Sequence, residues 1–295
     1  DAEIVPDPGR LRDMADRLDL AVISTPNRTH VPLARAALDA GFHVVVDKPL
    51  ATTADDARRL IEEARRRDRV LTVYQNRRWD GDFLTLRRLV RDGALGEVYR
   101  LESRFERWRT APKPGWRQDP APAQAGGLLY DLGAHLIDQA LSLLGPVTGV
   151  HAELDARRPG ARVDDDAFVA LTHASGARSH LWMNVIAADP APRFRVMGAR
   201  ATWTKWGMDP QEEQLRTGRG LEEPDWGESP PDAATLHDGA SATPTPLDRG
   251  DWGAFYRALA RTLTDGGPPP VDPRDAVAVL EVIEAARKAA GLETA

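Results

Sequence analysis

A lysine stands directly behind a run of strand-forming residues in HVVVDKPL (43–50). Lysine is scarce in this sequence, occurring only at 48, 113, 205 and 288, while arginine is abundant. A spare surface charge at position 48 would more ordinarily be arginine. An ammonium at a strand end can bind a substrate oxygen and stabilise negative charge as it develops. The plainer reading of Lys48 is a solvated strand-end charge, and position alone does not choose between them. A second group lies in LLYDLGAHLIDQ, where Asp131 and His135 are four residues apart and Asp138 follows three later. On a helix these share a face. A carboxylate beside an imidazole can orient it and raise its basicity. The same spacing equally serves a surface ion pair, or an aspartate favoured by the helix dipole. The three side chains could also ligate a metal, but oxygen and nitrogen ligands at helical spacing are common by chance, and no metal is expected.

These groups need elements to place them. The apolar run LDLAVIS (18–24) reads as a buried strand, and TPNRTHVPLARAALDAG has helical spacing with Gly41 as its stop. HVVVD is a second strand. Thr53 and Asp56 form a capping-box pattern ahead of the amphipathic ARRLIEEARRR, and VLTVYQ (70–75) is a third strand. A helix from about Asp82 to Arg91 ends near Gly93. Strands joined by helical crossovers predict a parallel sheet. Ligands of such sheets sit at the carboxyl ends of the strands, where STPN (24–27), DKP (47–49) and QNRRW (75–79) fall.

Near Gly96 the texture changes. VYRLESRFERW (98–108) alternates like a strand, a loop rich in Pro and Gly covers 110–127, and residues 126–144 predict one long helix closed by Gly145. From 147 to 206 strand patterns follow one another with few helices, which predicts a mostly antiparallel sheet. Residues 207–246 are polar and read as a surface excursion, and helices are expected around 248–264 and 273–289. The predicted fold class is therefore α/β: an incomplete Rossmann-type parallel domain over residues 1–97, then an α/β domain with a large, mostly antiparallel open sheet over 98–295.

At 295 residues the chain can build two domains, and 42% hydrophobic with 28% charged residues marks an ordinary globular protein. A net charge of −6 with no basic stripe argues against nucleic-acid binding. No run of 18 apolar residues or signal-peptide pattern occurs, so no membrane span is expected. Cysteine is absent, which excludes disulfides, cysteine nucleophiles and thiolate metal sites, and fits a cytoplasmic location.

Taken in order, VISTPNRTH, VVVDKPLATT, NRRWDGDF, GALGEVYRLESRF, KPGWR and GGLLYDLGAHLIDQ resemble the glucose–fructose oxidoreductase/inositol dehydrogenase (Gfo/Idh/MocA) family of sugar and polyol dehydrogenases. DPQEEQL (209–215) further resembles the branch that contains scyllo-inositol dehydrogenases. The resemblance implies an NAD(P)-dependent oxidoreductase acting on a sugar, inositol or related polyol. Its glutamate-lysine-proline motif reads Asp47-Lys48-Pro49 here, which implies Lys48 as catalytic lysine, and its aspartate and histidine map to Asp131 and His135. Implied cofactor contacts are Thr25, Pro26, Asn27, His30, Asp47, Lys48 and Asn76, with Trp116 and Arg117 reaching over the nicotinamide. Substrate contacts would be Lys48, Asp131 and His135, with Arg77 and Arg117 as further candidates or as solvated arginines. In the implied reaction His135 takes the hydroxyl proton, Lys48 stabilises the alkoxide, and Asp131 holds His135. A homodimer or homotetramer through the open sheet is also implied.

One piece of the family pattern is missing. No G-x-G-x-x-G occurs; TGRGLEE and DGGPPP neither follow a strand nor open a helix. The sequence starts with Asp and is expected to begin after the family's first strand-helix-strand unit, as a fragment or through a mis-set start. Without the glycine turn and its helix N-terminus the pyrophosphate loses its cradle, so this chain is expected to bind NADH and NADPH poorly. Calorimetric affinity in the micromolar range would refute that. Two other readings stay open: a non-catalytic sugar- or cofactor-sensing regulator on the same fold, and an inactive truncated fragment. A metal-dependent hydrolase or isomerase would require stoichiometric metal.

Overall fold

The computed structural model describes residues 10, 13–112 and 114–292. Most of the segment expected to lead from Asp1 into the first strand lies outside them, as does Lys113 of the KPGWR motif. Among the described residues the first sheet is parallel and three-stranded, in the order β1 (Leu20–Ile23), β2 (His43–Asp47), β3 (Leu71–Tyr74). Val44, Val45 and Val46 of β2 are wholly buried, as a central strand covered on both faces requires. β1 pairs with β2, and its Val22 is 51% exposed.

The crossovers are α1 (His30–Asp39) and α2 (Ala54–Arg66). Thr53 caps α2, its hydroxyl oxygen accepting the Asp56 N–H at 3.1 Å. Ala54, Ala57, Leu60 and Ala64 supply the buried stripe of α2. After α3 (Gly81–Arg91) the chain enters β4 (Val98–Glu106), whose Leu101, Ser103 and Phe105 point inward.

The second sheet also contains β5 (Val147–Asp155), β6 (Asp166–His173), β7 (Arg178–Asn184), β8 (Phe194–Gly198) and β9 (Thr202–Lys205). β10 (Ala234–His237) and β11 (Ala242–Pro244) complete it, and its order is β11-β10-β9-β8-β4-β7-β6-β5. β4 runs parallel to β7 and antiparallel to β8; the other pairs are antiparallel.

Two sequence expectations are corrected. Residues 126–144 do not form one continuous α-helix: a π-helical turn over Leu129–Gly133 precedes α4 (Ala134–Leu144). Residues 207–246 are more than a surface excursion. They hold α5 (Gln211–Arg216) and two strands, and bury Asp209, Gln211 and Trp226. Their polar composition misleads because Asp209 and Gln211 satisfy one another: both the N–H and the Nε2 of Gln211 donate to Asp209 Oδ1 at 3.0 Å.

α6 (Gly253–Asp265) and α7 (Pro273–Ala289) close the fold, and α7 packs against α2, α4 and β5, tying the two sheets together. The main hydrophobic core is continuous across both sheets. No helix among the described residues is long and apolar enough to cross a membrane.

Candidate active site

Lys48 leaves the carboxyl end of β2 and reaches across to the turn before α4. Its Nζ donates to the Asp131 carbonyl oxygen and, at 3.0 Å, to Asp131 Oδ1. The Lys48 side chain is only 13% exposed, so it is not a solvated strand-end charge. An ammonium has three N–H donors. Two are committed to Asp131, which leaves one for a bound molecule.

Asp131 also faces Arg117, whose Nε lies 3.5 Å from Oδ1, and Arg117 packs 4.5 Å over the Trp116 ring. Burial pushes the Asp131 carboxyl up, but Lys48, Arg117 and Arg107 outweigh it and hold it below the usual carboxylate range. No hydrogen bond joins Asp131 to His135 among the described residues. The pairing expected from their spacing gives way to competition, because a charge-assisted bond to Lys48, with the Arg117 cation beside it, is stronger than one to a neutral imidazole.

His135 is 6% exposed, with its ring centroid 6.5 Å from that of Phe105. Its Nδ1 is buried without a hydrogen-bond partner. Burial, then Lys48, Arg77, Arg193 and Arg107, hold the imidazole well below its ordinary value of 6.5. The ring is thus neutral at physiological pH, with an acceptor nitrogen available.

Arg77 is neither solvated nor free. It pairs with Asp80 at 3.2 Å and Glu212 at 2.6 Å, and lies 4.7 Å over Phe105. Arg107 shares Glu212 at 3.2 Å. Asp138, weighed above as a metal ligand, is committed to Arg78 through bonds of 2.8 and 2.6 Å.

The residues expected to meet a cofactor divide. Thr25 is exposed, and Pro26, Asp47 and Asn76 are partly buried near the strand ends. Asp47 Oδ1 accepts the Lys48 N–H at 2.8 Å. Asn27 is buried and donates its Nδ2 to Ala125 O at 3.0 Å. His30 is buried too, with Nδ1 2.8 Å from Pro49 O and Nε2 2.8 Å from Thr25 O. These two side chains brace the loops rather than face open space. Trp116 and Arg117 sit on a short 3₁₀ turn that, with Arg109, Asp131, Arg158 and Asp164, lines a cleft of about 410 Å³. A larger groove of about 680 Å³ between α7 and β5 contains none of these groups.

Sequence reasoning missed Arg107, Arg193, Glu212 and Asp164. Glu212 alone carried a signal, standing within DPQEEQL. The others are brought in by tertiary structure.

Comparison with known proteins agrees with this architecture. Residues 2–75 match the oxidoreductase family described by its NAD-binding Rossmann fold, and residues 83–204 match the GFO/IDH/MocA C-terminal domain. The chain is 42% identical over 270 residues to the uncharacterized oxidoreductase YdgJ of Escherichia coli, covering 90% of this chain and 77% of that protein. It is 33% identical over 274 residues to the scyllo-inositol 2-dehydrogenase (NADP(+)) IolW of Bacillus subtilis, covering 91% and 76%. The solved structure of the Bacillus subtilis oxidoreductase yvaA superposes with a TM-score of 0.91 at 32% identity, covering 99% of this chain and 83% of that one. The chain belongs to the Gfo/Idh/MocA family of NAD-binding oxidoreductases.

Proposed function

We propose that this chain carries the catalytic residues of an NAD(P)-dependent dehydrogenase of sugars, inositols or related polyols. The carrying observation is the junction of the two sheets: Lys48 from β2 binds Asp131, one turn ahead of the buried, uncommitted imidazole of His135. A relative named as a scyllo-inositol dehydrogenase supports the substrate class. In this reading residues 1–97 serve the cofactor, and residues 98–295 serve the substrate and a second subunit.

The residues present fit the nicotinamide end of such a cofactor. The exposed Thr25 and the partly exposed Pro26, Asp47 and Asn76 rim the carboxyl ends of β1–β3, and the cleft beneath Trp116 and Arg117 reaches Asp131. The phosphate end has no glycine-rich turn in this sequence. The nicotinamide supplies the acceptor for hydride. His135 takes the proton of the reacting hydroxyl on a ring nitrogen. The spare N–H of Lys48 donates to the same oxygen as it becomes an alkoxide. Asp131, held ionised by Lys48 and Arg117, keeps the ammonium in place and can accept a neighbouring hydroxyl of the polyol.

The test is a screen of inositols and aldoses with NAD+ and NADP+, read by absorbance at 340 nm. It is run on this chain and on the chain carrying whatever its reading frame encodes ahead of Asp1. Turnover of at least one polyol is expected. Binding of polyols without turnover in either form would replace the enzyme by a sensing protein.

A further inference from the structure

The cleft beneath Trp116 and Arg117 is rich in guanidinium groups: Arg109, Arg117 and Arg158 line it, together with Asp131 and Asp164. Arg158 shows how this wall is built. Its side chain is only 7% exposed, and its Nε donates to Asp165 Oδ2 at 2.8 Å. Its Nη1 donates to the carbonyl oxygens of Arg109 and Ala111 at 3.2 and 3.1 Å. The Arg109 N–H donates to Val185 O at 2.7 Å. A buried ion pair adds little stability by itself. This one staples the backbone just beyond β4, and the side chain that this backbone presents to the cleft is Arg109.

Arg109 is exposed, and its side chain has no hydrogen bond or ion pair among the described residues. Arg117 lies over Trp116 and 3.5 Å from Asp131 Oδ1, and its side chain donates no hydrogen bond among the described residues. Asp131 is already bonded to Lys48, so its single charge serves two cations. Counting the charged groups of the cleft with their partners, Lys48, Arg109, Arg117 and Arg158 face Asp131, Asp164 and Asp165. That is four cations against three carboxylates. The neighbouring pairs Arg77 with Asp80 and Arg107 with Glu212 add no net charge. Arg287, which shares a second cavity with Asp164, takes nothing from the excess.

We infer that the cleft selects a sugar or polyol that bears a carboxylate. The reacting hydroxyl sits at the Lys48–Asp131 end, the carboxylate at Arg109 and Arg117, and the Trp116 ring covers an apolar face of the carbon chain. A planar guanidinium meets a carboxylate through two parallel N–H bonds. An excess of one positive charge suits a monoanion. A phosphate ester carries more negative charge, which Asp131 and Asp164 in the same walls oppose. The cleft of about 410 Å³ lies within the usual range for small-molecule sites. The inference deepens the dehydrogenase reading and rests on it for the identity of the reacting carbon.

The experiment compares kcat/KM for matched pairs, D-glucuronate with D-glucose and D-gluconate with sorbitol, and for a hexose monophosphate, in whichever chain form shows turnover. The acid of at least one pair is expected to exceed its neutral partner by about tenfold or more. Arg109→Met should cut that ratio by about tenfold, and Arg109→Lys should keep part of it. Neutral sugars turned over as well as their acids, a hexose monophosphate preferred to both acids, or an unchanged ratio in Arg109→Met each overturn the inference and leave the dehydrogenase reading standing. Should no polyol turn over in either chain form, the dehydrogenase reading falls, and calorimetry with D-glucuronate and D-glucose decides this one. Tighter binding of D-glucuronate that Arg109→Met weakens supports it; equal binding, or none, overturns it.

Discussion

Two of the four lysines are tied down in ways their rarity hints at. Lys205 pairs with Asp82 at 3.2 Å with side-chain exposures of 1% and 0%. Removing one partner of such a pair strands the other charge, so Lys205→Met is expected to cost about 3–5 kcal/mol in urea denaturation. Adding Asp82→Leu should recover most of that loss; a single variant as stable as the parent would contradict the pairing. At Lys48 the effect shows in pH. The folded pKa of Asp131 is depressed, so its ion pair contributes stability above the unfolded value of 3.8, lost as pH falls through the lower folded value. Lys48→Met should weaken this acid-side dependence in melts taken between pH 2 and 5. The sequence made Lys48 conspicuous through residue choice alone. It could not tell whether Arg77 is solvated, because its partner Glu212 is 135 positions away and meets it only through the fold. It also paired Asp131 with the wrong neighbour, since spacing along a helix carries no information about cations arriving from another domain.

At the scale of elements, the segment bearing Asp131 and His135 is held at its start by Asp164. Its Oδ2 accepts the Leu129 N–H at 2.7 Å, and its carbonyl accepts the Leu128 N–H at 3.0 Å. Burial pushes the Asp164 carboxyl up to about 6, against the pull of these backbone N–H groups. A carboxyl with a raised folded pKa binds its proton more tightly when folded. Stability from this group therefore falls as pH rises from about 4 to about 6 and is level above that. Asp164→Asn, which keeps an acceptor, should flatten the dependence of Tm on pH in that window, whereas Asp164→Ala should lose about 1 kcal/mol or more with the cap. An unaltered profile in the asparagine variant would remove Asp164 from this role. Gly127 permits the approach: it has φ +90°, and a Cβ there would come within 1.9 Å of Asp164 Oδ1. Gly127→Ala is expected to cost about 1–3 kcal/mol from its backbone alone, visible as a lower denaturation midpoint. Helix caps such as Thr53 and the strand–helix alternation were legible because they are local patterns. The π-turn was not, for no residue type marks it, and the strands at 234–244 were hidden because they are short, lie at the sheet edge and bury little, the last being exposed throughout.

The whole molecule joins its two sheets through a shared core and α7, and the proposed chemistry lies between Lys48 after β2 and the segment ahead of α4. The outer face of the larger sheet carries Phe168 with the ring of Trp182 at 5.0 Å and that of His180 at 5.9 Å, and Arg104 lies 3.9 Å over Trp182. A second copy covering this row is the expectation. Sedimentation should find a dimer or tetramer that Trp182→Glu dissociates, and a parent sedimenting as a monomer would contradict it. The order and type of both sheets were readable from pattern and resemblance, because each strand run kept its own periodicity. The proposed convergence of Lys48 with His135 came from the resemblance alone, since 86 residues of intervening chain carry no distance. That convergence is most directly tested by kcat/KM for a turned-over polyol in the parent, Lys48→Met and His135→Gln, in whichever chain form shows turnover. Each variant is expected to fall by about 10²–10⁴-fold while remaining folded; parental rates in either variant would contradict the account.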